Sequence, residues 1–405
     1  MQDVQRIPDH FMGHLLANRT RNLYDCYKKL RRRGAFLRDA SGIHLVTRHG
    51  EVAQIIACPH FAFVGAEVFP GAPPAIKSKL DAAGFLDLLM FGTGARHRQA
   101  RRILSSLLSF DRIGRIRMAV ESKAETLARQ LDGGGQIDII ATVASYLPIR
   151  TLAELLGFED DEILSLVAGS RNLAGLLAAA PMAADAMSAG IDEFVRLARW
   201  LDRRLGATVD GADHPLADAL REASPDVRRA IVCDLAVLLV TGYDTSRAML
   251  GNAAAALISH PEACGALAAD PALAGRAAEE LIRYDTPGQV VFRHALDDVT
   301  IDHYRIGRGE MLALLIGSAN RDETAFEQPD RLDFARTRGR PLSFGAGPHV
   351  CIGAAIAKIQ LIAFLRAFVS CLPRLVVDGA MPQATQHGLV RGHEQLILHS
   401  PAYAA

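Results

Sequence analysis

Apolar residues recur at helical spacing along most of the chain. Residues 118–131 (MAVESKAETLARQL) and 191–205 (IDEFVRLARWLDRRL) place them three and four positions apart, as one face of a helix requires. Residues 226–260 continue this pattern much further, after a candidate cap at Ser224, and are apolar nearly all round in the middle. Such a helix is typical of the buried centre of a large domain. The pattern predicts a mainly helical chain.

Strand-like stretches are fewer and fall in separate regions. Residues 43–48 (IHLVTR) and 51–57 (EVAQIIA) are rich in β-branched side chains, and residues 290–320 contain several more such runs. Residues 393–400 (HEQLILHS) provide a last candidate strand. The expected fold class is therefore mainly α with a small β region.

The chain shows no long linker, internal repeat or low-complexity tail that would divide it. The two candidate breaks, at residues 69–75 and 209–215, are short. Half of the residues are apolar, which is enough for a large core. We therefore expect one domain over residues 1–405.

Charge and cysteine content narrow the function classes. Lys+Arg and Asp+Glu both number 45, so no global charge points to nucleic acid or to an anionic membrane surface. The six cysteines form no CxxC pair, which argues against a disulfide framework and favours a reducing compartment. No signal-peptide pattern opens the sequence, and no apolar run approaches the ~18 residues of a membrane span. The expectation is a cytoplasmic protein without nucleic-acid partner or membrane span.

Residues 341–360 (PLSFGAGPHVCIGAAIAKIQ) combine glycines with one cysteine just before a helical run. A phosphate-binding loop would need the third glycine of G-x-G-x-x-G after an apolar strand, and both are missing. A zinc site at His349 and Cys351 would need two more ligands at recognisable spacing. A buried structural cysteine is the usual fate of a lone cysteine and stays open as an alternative.

The glycines around Cys351 favour a different function. Gly345 and Gly347 allow close backbone approach or positive φ, and Gly353 leaves room beside the sulfur. A helix N-terminus next to Cys351 would stabilise its thiolate, and His349 could hold an anionic group of the same ligand. This combination fits the proximal ligand of haem iron.

The complete pattern resembles the haem-binding loop of the cytochrome P-450 family, the haem-thiolate monooxygenases. Its fixed positions are filled here by Phe344, Gly345, Gly347, His349, Cys351 and Gly353. The resemblance implies a single large haem domain of that fold. It also implies haem b, with the Cys351 thiolate as axial ligand and metal-binding residue.

Glu280 and Arg283 are spaced i, i+3 and share one helix face. For most such charges a solvated surface pair is the commoner outcome. In the resembled family this pair is buried and is joined by an arginine from a later loop. The matching loop, FEQPDRLDF, nominates Arg331.

Within the long helix, LLVTGYDTSRAML resembles the oxygen-activating helix of the family. The resemblance places Gly242 beside the cofactor and makes Asp244 a proton relay and Thr245 a hydrogen-bonding gate. Thr241 departs from the family, which usually has alanine or glycine there. A helix kink with a capped acid is the structural alternative.

Four cationic or imidazole side chains match the family's haem-propionate partners. They are His97, Arg101, Arg293 and His349. Cations pair well with carboxylates, although His97 and Arg101 alone would pass for a basic surface turn.

The resemblance implies insertion of one atom of O2 into a small apolar organic substrate, in natural-product or lipid and terpenoid metabolism. Electrons would come from a ferredoxin and its NAD(P)H-dependent reductase. Residues 61–91 and 171–191 are the segments expected to face the substrate. The alternatives are a haem-thiolate peroxygenase or non-oxygenating relative, which would not need Asp244 and Thr245, and a haem-binding sensor without turnover.

Overall fold

The computed structural model describes residues 10–20, 22–63, 72–131, 136–207, 220, 223–372, 375–377 and 380–399. The described chain is mainly helical, with small sheets, and divides into two compact units. Unit 1 comprises Met1–Phe61, Arg117–Pro148 and Thr245–Ala405, and unit 2 comprises Ala62–Ile116 and Ile149–Asp244.

The helices are as follows, in chain order: α1 Phe11–Leu16, α2 Leu23–Arg33, α3 His49–Ala57, α4 Pro74–Ala82, α5 Gly94–Ser106, α6 Phe110–Leu131, α7 Tyr146–Leu156, α8 Asp160–Ala168, α9 Arg171–Leu177, α10 Ala184–Ala207, α11 Pro225–Ser259, α12 Pro261–Ala269, α13 Ala274–Tyr284, α14 Ile316–Ala319 and α15 Ala354–Phe368.

The strands are short: β1 Phe36–Arg38, β2 His44–Val46, β3 Phe61–Ala62, β4 Gln136–Asp138, β5 Val290–Ala295, β6 Val299–Ile301, β7 Tyr304–Ile306, β8 Met311–Leu315, β9 Val376–Val377, β10 Thr385–His387, β11 Val390–Gly392 and β12 Ile397–His399.

The largest sheet has the order β1-β2-β8-β5-β3. Strand β2 runs parallel to β8, whereas β5 runs antiparallel to it, with Arg293 opposite Leu312. Three further small sheets pair β4-β12-β9, β10-β11 and β6-β7.

A buried apolar cluster in unit 1 packs α3 against the large sheet. Val52, Ile55 and Ile56 supply the helix side, and Leu312 and Leu314 belong to the sheet side. The interpretation of residues 51–57 as a strand is wrong, because these buried positions have the spacing of one helix face. Their β-branched side chains fill the core from a helix instead of a strand.

Unit 2 is built on α10 and its neighbours. Lys79 of α4 donates hydrogen bonds to Ser188 Oγ at 2.7 Å and to Asp192 at 2.8 Å, both on α10. A Cβ at Gly190 would lie 2.9 Å from the Asn172 carbonyl oxygen, so α9 and α10 approach closely at this glycine. These contacts connect both segments that the sequence assigns to the substrate side.

The predicted mainly α fold with a small β region is confirmed. The helical patterns at 118–131, 191–205 and 226–260 lie in α6, α10 and the 35-residue α11. The candidate break at 209–215 lies outside the described residues, as does the first part of the break at 69–75. Within the described ranges, no helix combines the length and apolar character that crossing a membrane would require.

Candidate active site

The cysteine loop of unit 1 has a backbone that requires glycine. Gly345 and Gly347 both have φ of 70°, in the left-handed region. The Cys351 N–H donates to the Phe344 carbonyl at 2.8 Å and closes the loop. Cys351 is exposed and lies just before α15, whose N-cap is Gly353, so the cysteine precedes the helix instead of starting it.

Helix α3 supports this loop from behind. A Cβ at Gly347 would lie 3.1 Å from the Ala57 Cα, and one at Gly345 would lie 3.6 Å from Ile56. A larger residue at 347 would therefore be strained by its φ and would crowd the end of α3. No pattern in the sequence indicates this contact, because it joins residues that lie far apart along the chain.

Asn320 fixes the start of the loop. Its Oδ1 accepts the Leu342 N–H at 2.8 Å, and its Nδ2 donates to Ser343 Oγ at 2.8 Å. Ser343 in turn donates to the Ile282 carbonyl of α13 at 3.0 Å. This buried asparagine connects the loop to α13, and no motif in the sequence pointed to it.

Glu280 and Arg283 form a buried ion pair, as the resemblance implies. Arg283 donates to both Glu280 oxygens at 2.7 and 2.8 Å, and the two side chains are 0% and 5% exposed. The nomination of Arg331 as third member is wrong. Arg336 instead donates from Nε to Glu280 at 3.1 and 3.2 Å, whereas the exposed Arg331 contributes its backbone carbonyl to both arginines.

Two predicted propionate partners lie in unit 1. Arg293 is 1% exposed on β5, and burial lowers the pKa of its guanidinium to about 9. A nearby anion would raise the pKa of Arg293 again, because it would stabilise the charged guanidinium. His349 is half-buried in the short 3-10 helix within the cysteine loop.

The other two predicted partners share one face of α5 in unit 2. His97 is 5% exposed, and burial lowers its pKa, with a further lowering from the nearby cations Arg101 and Arg98. Arg101 follows one turn later and is half-buried. A carboxylate at this face would be stabilised by both side chains.

Helix α11 carries the predicted oxygen-activating motif without interruption. Gly242 and Asp244 are half-buried in unit 2, and Thr245, at the start of the last segment of unit 1, is exposed. A Cβ at Gly242 would lie 3.6 Å from Leu152, an ordinary contact. Thr241 donates from Oγ1 to the Val237 carbonyl at 2.7 Å, the back-bond expected of a threonine in mid-helix.

The donor set suits an iron macrocycle that bears carboxylates. In unit 1 it consists of the exposed Cys351 in a constrained loop and of Arg293 and His349, which suit anions; a Cβ at Gly353 would lie 3.9 Å from the Cys351 sulfur, an ordinary contact. The described ranges contain no group of three or more His, Cys, Asp or Glu side chains that could hold a bare metal ion.

Sequence reasoning missed one acid in unit 2. Asp234 of α11 is 6% exposed and accepts the Leu89 N–H at 2.6 Å. Burial raises its pKa to about 7, and the Leu89 N–H and Arg96 offset only part of that rise. A lone acid in an apolar helical run was the only signal available.

Known proteins are similar to this chain in sequence and in fold. The sequence model of the Cytochrome P450 family matches residues 273–398. Cytochrome P450 107B1 of Saccharopolyspora erythraea is 31% identical over 336 residues, 78% of each chain. Linalool 8-monooxygenase of Pseudomonas putida is 28% identical over 334 residues, 80% of this chain and 81% of that protein.

A solved structure agrees in fold. P450BioI, in complex with a hexadec-9Z-enoic acid ligated acyl carrier protein, superposes with a TM-score of 0.84. The alignment covers 94% of this chain and 98% of that chain at 23% identity.

Proposed function

Because the chain belongs to the cytochrome P450 family and is therefore a haem-dependent monooxygenase, we propose that Cys351 supplies the thiolate ligand of its haem b. The observation that carries this proposal is the exposed cysteine in a loop whose glycines have left-handed φ. The phosphate-loop and zinc alternatives do not account for that geometry. A structural cysteine would be buried, and Cys351 is not.

The haem carboxylates would be held by His97, Arg101, Arg293 and His349. Burial disfavours the charged forms of Arg293 and His97, and the negative charge of a carboxylate would favour them. Phe344, Gly345, Gly347 and Gly353 would shape the loop beside the macrocycle, and Gly242 would leave room for it on α11.

When bound, haem with a thiolate ligand supplies the oxygen chemistry of the reaction. The chain contributes proton delivery: the Asp244 carboxyl group would relay protons from solvent, and the Thr245 hydroxyl would donate a hydrogen bond towards the reacting oxygen. One oxygen atom enters the substrate, and the other leaves as water with two protons and two electrons. Thr241 Oγ1 donates to the Val237 carbonyl at 2.7 Å, so its hydroxyl serves the helix backbone.

The substrate would be a small apolar organic molecule from natural-product, lipid or terpenoid metabolism. The described parts of 61–91 and 171–191 are largely apolar, with buried residues such as Phe85, Leu88 and Leu173. Two of the similar proteins are described with mainly apolar organic molecules. One is the linalool monooxygenase, and the other is P450BioI with its fatty-acyl ligand.

Electrons would come from a ferredoxin and its NAD(P)H-dependent reductase. The protein would be a single haem domain over residues 1–405, located in the cytoplasm, where the reducing environment keeps its cysteines free of disulfides.

The axial ligand is tested with reduced, CO-treated protein. Wild type should show the strongly red-shifted Soret band of thiolate ligation, and Cys351→His should lose that band while retaining haem. Cys371→Ser is the matched control, because Cys371 is a buried cysteine outside the loop. A red-shifted band that persists in Cys351→His would place the ligand at another residue.

The proposed proton delivery is tested by measuring how tightly NAD(P)H consumption is coupled to product formation. We expect Thr245→Ala to bind haem and substrate normally but to divert reducing equivalents to peroxide or water, measured as product formed per NAD(P)H consumed. The Thr241→Ala/Thr245→Ala double variant shows whether Thr241 compensates. Normal coupling in both variants, or wild-type turnover that needs only peroxide, would contradict the monooxygenase role of Thr245.

A further inference from the structure

The chain between α4 and α5 contacts both α10 and α11. This stretch, residues 83–93, is called the 83–93 segment below. Phe85 is 1% exposed, and its ring lies 5.3 Å from the Phe194 ring of α10. Arg229 of α11 donates to the Ala82 carbonyl at 3.3 Å, just before the segment. These contacts hold the first part of the segment.

The second part is held by Asp234. Its Oδ1 accepts the Leu89 N–H at 2.6 Å, a short distance typical of a hydrogen bond to a carboxylate. The Leu88 carbonyl accepts the N–H groups of Phe91 and Gly92 at 2.9 and 3.1 Å, so residues 88–91 form a turn with Leu89 at its second position. The carboxylate therefore binds a backbone donor of this turn.

Asp234 costs stability where an apolar residue would not. Its neighbours Ile231, Leu235 and Leu239 are fully buried, and burial of a carboxylate disfavours its charged form. A residue that served packing alone would be apolar here. The acid is explained if its hydrogen bond serves a purpose beyond stability.

The segment leads directly to a proposed haem contact. A Cβ at Gly92 would lie 3.6 Å from the Cβ of His97, in the first turn of α5. The segment also falls within residues 61–91, one of the two stretches assigned to the substrate side. Its position therefore affects both the start of α5 and the wall offered to a substrate.

We infer that Asp234 is a positioning residue, which holds the 83–93 segment against α11 through the Leu89 N–H and thereby fixes one wall of the substrate pocket. The substrate role rests on the proposed function, whereas the tether itself rests on geometry within unit 2. Neutral and charged carboxyl groups both accept the N–H, so an amide of the same shape should replace the acid. An apolar residue of the same size should not.

Three variants separate the tether from general stability. Asp234→Asn keeps an acceptor oxygen, and Asp234→Leu removes it. Leu89→Pro removes the donor and leaves Asp234 intact. The backbone should tolerate proline there, because Leu88 has φ −58° and ψ 148°, a conformation compatible with a following proline. If Asp234→Leu does not fold, Leu89→Pro still tests the effect of losing this hydrogen bond.

The first measurement is hydrogen–deuterium exchange of the holoenzyme. Peptides covering 83–93 should exchange about tenfold faster in Asp234→Leu than in wild type, because loss of the hydrogen bond to Asp234 makes local opening of the segment more frequent. In Asp234→Asn their exchange should stay within about twofold of wild type. Peptides from α10 should not change in either variant. Unchanged exchange over 83–93 in Asp234→Leu would overturn the tether.

The second measurement is azole binding to the holoenzyme, followed by the Soret shift. Imidazole is too small to reach the pocket wall and should bind all four proteins alike. For 4-phenylimidazole we expect roughly tenfold weaker binding in Asp234→Leu and Leu89→Pro and near-wild-type binding in Asp234→Asn. Equal affinity of all four proteins for 4-phenylimidazole would overturn the positioning role. Absence of the thiolate CO band in wild type would contradict the proposed function instead, and the exchange result would still decide the tether.

Discussion

Glu280 shows how one carboxylate can organise a loop as well as a helix. It accepts hydrogen bonds from Arg283, from Arg336 and from the Asp333 N–H at 3.0 Å. Arg283 also donates to the Asn320 carbonyl at 2.8 Å, and Asn320 fixes the start of the cysteine loop. The cluster thus connects α13 to the loop that carries Cys351.

Arg336 and Arg331 provide a matched pair for testing this cluster. We expect Arg336→Ala to lower the free energy of unfolding by about 3–5 kcal/mol, because it leaves part of a buried charge uncompensated. Arg331→Ala should change it by about 0.5 kcal/mol or less, since only the backbone carbonyl of Arg331 takes part. Urea denaturation and haem content measure both. Equal losses in the two variants would contradict the assignment of Arg336.

At the scale of single residues, the sequence predicts the role of those residues whose spacing is fixed within one element or one tight loop. Glu280 and Arg283 are one helical turn apart, and the glycines near Cys351 are needed for local backbone reasons. Arg336 lies in an irregular stretch without periodicity, so nothing local distinguishes it from Arg331. Asn320 acts through contacts distant in sequence, and such contacts carry no local pattern.

At the scale of an element, helices α11 and α3 show the same difference between what local sequence predicts and what distant contacts decide. Its length and burial follow from apolar residues on all sides, and both were predicted. For helix α3 the sequence predicts a strand, because its valine and isoleucines favour strands in isolation, whereas packing against the sheet decides the outcome. Tertiary contacts of this kind override the weak preferences of a nine-residue segment.

The burial of Asp234 in α11 predicts a pH-dependent stability difference. The pKa of this carboxyl is raised in the folded state, so the folded protein binds the proton more tightly than the unfolded chain does. Wild type therefore loses stability relative to Asp234→Asn as pH rises through about 7. We expect the advantage of Asp234→Asn in unfolding free energy to grow by about 2 kcal/mol between pH 5 and pH 8.

Thermal or urea unfolding at the two pH values measures this difference. Asp226→Asn is the control, because Asp226 is an exposed acid at the start of the same helix. Its difference from wild type should be the same at both pH values. A constant advantage of Asp234→Asn across this range would show that the Asp234 carboxyl does not titrate there.

At the scale of the whole molecule the net charge is zero, but α5 carries a local excess of cations. Arg98 and Arg102 are exposed there, while Arg96 is paired with Asp87 at 3.1 Å. Because Arg102 is exposed on α5, it is the probe chosen for electron-donor docking.

If an acidic ferredoxin docks on these arginines, reduction of the haem should slow as salt rises, because steering acts over a Debye length of ~8–10 Å. Arg102→Glu should slow ferredoxin reduction severalfold in stopped-flow measurements and leave dithionite reduction unchanged. Arg32→Glu, an exposed arginine on α2, is the control. Reduction that is insensitive to both salt and Arg102→Glu would exclude electrostatic docking at α5.

The pairing of β12 with β4 limits how early this part of the chain can fold during synthesis. Leu398 lies opposite Ile137, and the Leu396 N–H donates to Asp138 at 3.0 Å. The ribosome has made all of unit 2 once it passes residue 244, but β4 waits for its partner strand until residue 399 is made. During that interval β4 therefore lacks the strand that pairs with it in the folded chain. Cys351, the proposed haem ligand, is also made only after all of unit 2.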